Sequence, residues 1–393
     1  MFSQRLPPDL DPNRLTRVVA ALRADGVPLI DLTASNPTTC EFDYPLDLLE
    51  GLADRRALRY EPQPLGLERA REAVAADYAR RSVAVSPGRV VLTASSSDSY
   101  SLLFKLLCDP GDSVLVPAPS YPLFEHLARL DGVTARPYRL EFHGRWTLDV
   151  HELSALADAR TRAVLAVSPN NPTGSILTRA ETRALHAFCA SRGLALVGDE
   201  VFCDYLLMPD ADASPSVLKE EQALAISLGG LSKSVGLPQL KLGWMVMGGP
   251  DGLVRPALQH LEIIADTYLS VATPVQVAVS HLLERGTLVR QQIADRVLLN
   301  YNVLRSLAEH HRACRVLPAE GGWSAVVQGP AIMPDEERAI RLVQQTGVLV
   351  YPGYFFDFNR DGYIVMSLLV PPAAFRAGAS RVLETMDTGP ADA

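Results

Sequence analysis

The segment Leu228-Gly-Gly-Leu-Ser-Lys-Ser-Val-Gly-Leu-Pro-Gln-Leu-Lys-Leu-Gly-Trp244 decides how the rest of the chain is read. An apolar run breaks there into small residues, and Lys233 falls in a loop where an aldehyde can reach its amine. Taken alone, the segment reads more readily as a small-residue loop with a surface lysine. The composition sharpens it. Of the 37 basic residues only four are lysines (Lys105, Lys219, Lys233 and Lys241), and the other 33 are arginines. A coding bias toward arginine explains the imbalance. Under such a bias a retained lysine marks a place that arginine cannot fill, because a guanidinium stays protonated and makes a poor imine-forming nucleophile.

Outward from this segment, short β-rich runs alternate with helical patterns. Strands are expected at Val90–Ala94, Ser113–Pro117, Ala163–Val167, Ala195–Gly198, Ala225–Leu228 and Gly243–Met247, with helices at Ser99–Leu107, Arg179–Ser191 and Gly252–Ala265. That alternation predicts a mostly parallel sheet with helices on both faces, whose ligands gather at the carboxyl ends of the strands. One long helical pattern is expected from Thr273 to His310, then strands at Val316–Pro318, Trp323–Val327, Gly347–Tyr351 and Tyr363–Leu368, with helices at Asp335–Gln345 and Ala373–Thr385. The expected division is a large domain over 44–272 and a smaller α+β domain over 1–43 and 273–393.

Three further stretches sit at expected strand ends. Leu92-Thr-Ala-Ser-Ser-Ser-Asp98 opens a helix, and hydroxyls and N–H groups at a helix N-terminus suit a phosphate; an ordinary N-cap is the plainer reading. Ser168-Pro-Asn-Asn-Pro-Thr-Gly174 holds an amide in a stiff loop, or is a simple tight turn. Gly198-Asp-Glu-Val-Phe202 places a carboxylate at a strand end, where a lone loop acid is the common alternative.

Together the four stretches resemble the fold-type I aminotransferases of class I/II, which use pyridoxal 5'-phosphate. Asn171, Asp199 and Lys233 come in that family's order, 28 and 34 residues apart, and the likeness extends to Tyr60-x5-Gly66, Pro119-Ser-Tyr-Pro122 and Val350-Tyr-Pro-Gly353. The resemblance implies a role for each residue. Lys233 would carry the cofactor as an imine and later shuttle a proton. Asp199 would keep the ring nitrogen protonated, making the ring an electron sink. Asn171 would donate to the ring's phenolic oxygen and Tyr121 would stack on its face. Ser95, Ser96, Ser97, Ser232 and Lys241 would hold the phosphate. Tyr60 would reach the neighbouring subunit's phosphate, which implies a homodimer with shared sites, and Tyr268–Gln276 resembles another segment lining the partner's site.

The chain departs from that pattern at four places. Phe202 stands where the family usually has Tyr, with Tyr205 as the nearby hydroxyl that could replace it. Lys241 stands for Arg and Gly230 for Ser. Val365, in Tyr363-Ile-Val-Met-Ser367, stands for the Arg that clamps the substrate's α-carboxylate. Arg360, or backbone donors near Ser35 and Asn36 together with Asn171, would then take the carboxylate; otherwise the substrate carries its amine away from any α-carboxylate. The expected reaction moves an amino group between an amino acid or related amine and a 2-oxo acid. A lyase, decarboxylase, oxidase or cyclase is the alternative on the same scaffold.

The remaining numbers exclude rather than assign. A net charge of −8 disfavours nucleic acid. The five cysteines are scattered with no CxxC pair, so no metal site is expected and the setting reads as reduced and cytoplasmic. No apolar run is long enough to span a membrane and no signal peptide is evident. A transcription regulator with an aminotransferase-like module would need a DNA-binding domain beyond the roughly forty residues ahead of the family region.

Overall fold

A computed structural model describes residues 2–7, 9–208 and 210–388. Its centre is an eight-stranded sheet. In spatial order the strands are Val90–Thr93, Gly243–Gly248, Ala225–Gly230, Ala195–Asp199, Thr161–Val167, Ser113–Ala118, Thr134–Phe142 and Trp146–Leu148. Six run one way; Gly243–Gly248 and Trp146–Leu148 run against their neighbours. The inner strands are buried at nearly every position, as covering both faces of a sheet requires. Apolar clusters fill both sides, one including Val91, Leu165, Val197 and Leu228, the other Leu115, Val164, Leu185 and Leu196.

The register gathers the quoted stretches at one edge. Thr93 pairs with Gly243, Gly243 with Gly230, Asp199 with Leu228 and Val167 with Asp199. The loops carrying Ser95, Lys241, Lys233 and Asn171 therefore leave the sheet side by side.

A second, antiparallel sheet has the order Arg315–Val316, Ser324–Gln328, Tyr363–Ser367, Tyr351–Pro352. The N-terminal segment is fastened to its edge: the Ser367 amide donates to Leu32 O at 2.7 Å and the Ser367 hydroxyl to Ala34 O.

Several expectations change. The single strand expected at Gly347–Tyr351 is split: Val348–Leu349 pairs in parallel with Ile30–Asp31, while Tyr351–Pro352 joins the antiparallel sheet. The long helix over Thr273–His310 is two helices, Thr273–Arg285 and Thr287–Ala308. They meet at Gly286, where a Cβ would stand 2.6 Å from that of Val235, so only glycine permits the approach. The helix expected from Ser99 starts at Ser96, because the Ser95 hydroxyl caps it by accepting from the Asp98 amide. Packing does not break cleanly at residue 272: the Thr273–Arg285 helix lies against Glu68–Ala79, and one apolar cluster runs from Val74 and Leu92 through Val279 to Phe375.

Candidate active site

Lys233 rises from the one-turn helix Leu231–Ser234 that follows strand Ala225–Gly230. Its Nζ stands 4.7 Å from the centre of the Trp323 ring and 5.5 Å from that of Phe202. Those two rings meet edge to face, 5.3 Å apart. Burial penalises the charged amine and pulls it from the ordinary 10.5 down to about 8, with the Asp199 charge opposing.

Asp199 ends its strand with Oδ2 accepting from the Tyr100 hydroxyl at 3.0 Å and Oδ1 from the Val201 amide at 3.3 Å. Burial lifts this carboxyl from 3.8 to about 6, against the pull of those donors and of Lys233. The site thus holds an amine and a carboxyl displaced toward each other, the pattern of groups arranged to exchange protons.

Asn171 is fixed by an interaction across the molecule: the Ser324 hydroxyl donates to its Oδ1 at 3.1 Å. That contact spends the carbonyl end of the amide and leaves Nδ2 as the outward donor. Ser95 caps the Ser96–Leu107 helix, and Ser96 and Ser97 occupy its first turn. Gly243 lies directly under that turn, where a Cβ would come within 3.0 Å of the Ser95 backbone and the Ser96 nitrogen. Lys241 is exposed, has a positive φ of 51°, and has no ion-pair partner among the described residues. Ser232 sits beside Lys233 in the same turn.

Tyr121 is 48% exposed and lines a hollow of about 660 Å³ with Glu125, Arg139, Asp357 and Phe358. Neither Lys233 nor Asp199 borders that hollow, so the site is assigned on its chemistry and not on cavity size. Tyr60 is 72% exposed and shares a small hollow with Leu269, Ser270, Val271 and Gln276, which brings together the two segments expected to serve a partner. Ser35 and Asn36 follow the residue held by Ser367, and Ser367 pairs with the Ser324 that holds Asn171. The Asn36 carbonyl oxygen of the side chain is taken by Thr38.

Two expectations need correction. Arg360 is not delivered to the site: its guanidinium donates to the Tyr363 hydroxyl at 2.8 and 3.0 Å, on the surface. Tyr363 pairs with Gln328, at the opposite end of the strand from the Ser324–Ser367 pair. Tyr205 does not replace the hydroxyl missing at Phe202, since it is fully buried and donates to the backbone carbonyl of Lys233. Val365 is not an open gap either. It is 1% exposed in an apolar cluster with Trp146, Val326, Phe356 and Phe358.

Sequence reasoning missed Tyr100, Trp323 and Ser324. Each reaches the site from a remote element, and no local motif marks any of them.

The family model for aminotransferase class I and II matches residues 29–376. The chain belongs to that family. It is 25% identical over 363 residues to the glutamate-pyruvate aminotransferase AlaA of Haemophilus influenzae, covering 88% of each chain. It is 28% identical over 375 residues to an aspartate/prephenate aminotransferase of Thermus thermophilus, covering 92% of this chain and 91% of that one. The fold matches that of an alanine aminotransferase from Pyrococcus furiosus with a TM-score of 0.87, at 21% identity and over 99% of this chain and all of that one. The protein is a pyridoxal-phosphate-dependent aminotransferase, working on amino acids and 2-oxo acids. The residues present suit the cofactor: a buried amine whose proton is held less tightly than an ordinary lysine's, a buried carboxyl, an amide donor, and a helix N-terminus with a glycine-floored cradle. Among the described residues no single helix is long and apolar enough to cross a membrane.

Proposed function

We propose that Lys233 is the residue that binds the cofactor covalently and moves the proton during transamination. The observation that carries this is the Lys233 amine itself, walled by Trp323 and Phe202 and held close to neutral, so that it can attack a carbonyl near pH 8. Pyridoxal phosphate, when bound, supplies an electron sink that acidifies the donor's Cα–H. Asp199 would pair with the cofactor's ring nitrogen, Asn171 Nδ2 would donate to its phenolic oxygen, and Tyr121 would cover its face. Ser95, Ser96, Ser97, Ser232 and Lys241 hold its phosphate, with the helix N-terminus adding its own partial positive charge. Lys233 Nζ would be the base that takes the proton from the substrate's Cα and the acid that gives it back. Borohydride reduction and peptide mapping should place the pyridoxyl group on Lys233; a label on Lys105, Lys219 or Lys241 would refute the assignment.

The donor is an amino acid whose carboxylate is held by neutral groups: Asn171 Nδ2 and backbone N–H groups around Ser35 and Asn36. Arg360 is occupied elsewhere, and Val365 is sealed in an apolar cluster. Comparing amino acids with their decarboxylated amines tests this. The carboxylate should add less than about tenfold (about 1.4 kcal/mol) to kcat/KM, whereas a much larger factor would require a charged anchor.

The active form is a homodimer of the cytoplasm, with Tyr60 of each subunit serving the other's phosphate site. The support is the exposed set Leu58, Tyr60, Tyr268 and Leu269. Mixing Tyr60→Phe and Lys233→Arg proteins should restore part of the activity through hybrid dimers; no recovery despite subunit exchange would count against shared sites. The division into 44–272 and 1–43 with 273–393 is proposed on the same footing, each part having its own sheet.

A further inference from the structure

The helix that carries Lys233 is a single turn: the Leu231 carbonyl accepts from the Val235 and Leu237 amides, and no backbone N–H donates to the Lys233 or Ser234 carbonyl among the described residues. Side chains from elsewhere take their place. Tyr205, fully buried, donates its hydroxyl to the carbonyl of Lys233, with the carbonyl of Ser234 at 3.3 Å. Arg290 Nε donates to the same Ser234 carbonyl at 2.8 Å and is itself set between Asp77 at 3.2 Å and Asp204 at 3.5 Å. Tyr205 has a second contact with the working end of the lysine. Its ring lies 5.1 Å from that of Trp323, the ring standing over Lys233 Nζ. One side chain thus touches both the peptide from which Lys233 springs and the wall against which its amine rests. It also stands six residues after Asp199, on the same turn of chain, so it ties the acid's loop to the lysine's.

We propose that Tyr205 is a positioning residue for Lys233: its hydroxyl sets the direction in which the amine leaves the backbone, and hence its aim at the cofactor and at the substrate's Cα. The proposal rests on Lys233 being the working lysine. A hydroxyl bound to a main-chain carbonyl one residue's length from the reacting nitrogen acts on orientation, where small misplacements cost rate steeply.

Tyr205→Phe tests it, because it keeps the ring against Trp323 and removes only the hydroxyl. Tyr138→Phe is the control: Tyr138 is likewise buried and donates to a backbone carbonyl, that of Leu165 at 2.9 Å, remote from the lysine. Two readouts apply. The first is the rate at which cofactor-free protein captures pyridoxal phosphate, followed by visible absorbance. The second is the single-turnover rate with L-glutamate and with its α-deuterated form. Tyr205→Phe should capture the cofactor at least fivefold more slowly, and should slow the turnover at least tenfold with a larger isotope effect and little change in the glutamate concentration giving half the maximal rate. Tyr138→Phe should change neither. If both variants behave alike, or if Tyr205→Phe stays within twofold of the unmodified protein, Tyr205 is a packing residue and the proposal falls. Mapping the reduced label in Tyr205→Phe separates the two claims: a label away from Lys233 refutes the lysine assignment, whereas a label on Lys233 with unchanged kinetics refutes only the positioning.

Discussion

Lys233 and Val365 belong to different elements, and the chain surrounds them in opposite ways. Around Lys233 the chain gathers polar groups from remote stretches: Asp199 and Tyr205 from one loop, Tyr100 from the serine-capped helix, and Asn171 held by Ser324. Around Val365 the apolar neighbours are Trp146, Val326, Phe356 and Phe358, and the side chain is 1% exposed. The first environment keeps cofactor chemistry fixed. The second is apolar packing at the place where the resemblance expects a charged contact, so on the proposed reading what the enzyme accepts can change without touching how it reacts.

The hardest blow to that contrast is aimed at the lysine. Lys233→Arg should fold but lose turnover by about 10⁴-fold or more, because arginine neither forms the link to the cofactor nor gives up its proton. Residual activity within a hundredfold would place the chemistry elsewhere. Asp199→Asn should cost on the order of 10²–10³-fold in the chemical step, the usual loss when one preorganised charge is removed, while retaining the phosphate contacts. Stopped-flow rates near normal would make this acid a bystander.

Restoring arginine on the other side should not restore a clamp. Val365→Arg forces a guanidinium into an apolar cluster without a partner, at a cost of about 3–5 kcal/mol. A lower melting temperature with no gain in kcat/KM for amino acids is the expected result. A gain of tenfold or more would show that the cluster opens readily and that the two regions differ less than their packing implies.

The pH dependence of cofactor capture sharpens the lysine side. Burial lowers the Lys233 amine to about 8, and only the neutral amine attacks. Capture should therefore rise with pH to a plateau above about 8, and fall tenfold per unit well below it. A midpoint near the ordinary 10.5 would show that the amine is solvated. The smallest effect is expected at Phe202. A hydroxyl added by Phe202→Tyr would stabilise the cofactor's phenolic oxygen as an anion, lowering the midpoint of the bound cofactor's visible pH titration by up to about one unit. Superimposable titrations would mean that Asn171 already meets the demand.

The large sheet was legible because its inner strands are buried on both faces and so appear as unbroken apolar runs. Thr134–Phe142 escaped because it lies toward the edge, half exposed, with Pro137 inside it. The break at Gly286 escaped because its cause, Val235, is a tertiary neighbour. Within the site, Lys233, Asp199 and Asn171 announce themselves in short motifs where backbone and chemistry are set together. Tyr100 and Ser324 meet their partners across 99 and 153 residues, and no local pattern records such a meeting. Arg360 was a choice by closeness along the chain, and strand register then placed it at the wrong end.

The ring over Lys233 has a consequence in the order of synthesis. Trp323 is made 90 residues after the lysine it covers, from a different sheet. While the ribosome is still adding those residues, the amine is open to water on that face and stays protonated, like any surface lysine at neutral pH. It becomes a good trap for aldehydes only when the last third of the chain has docked. With Lys233 as the proposed cofactor lysine, the docking that buries the amine would also ready it for the cofactor, so loading would follow folding.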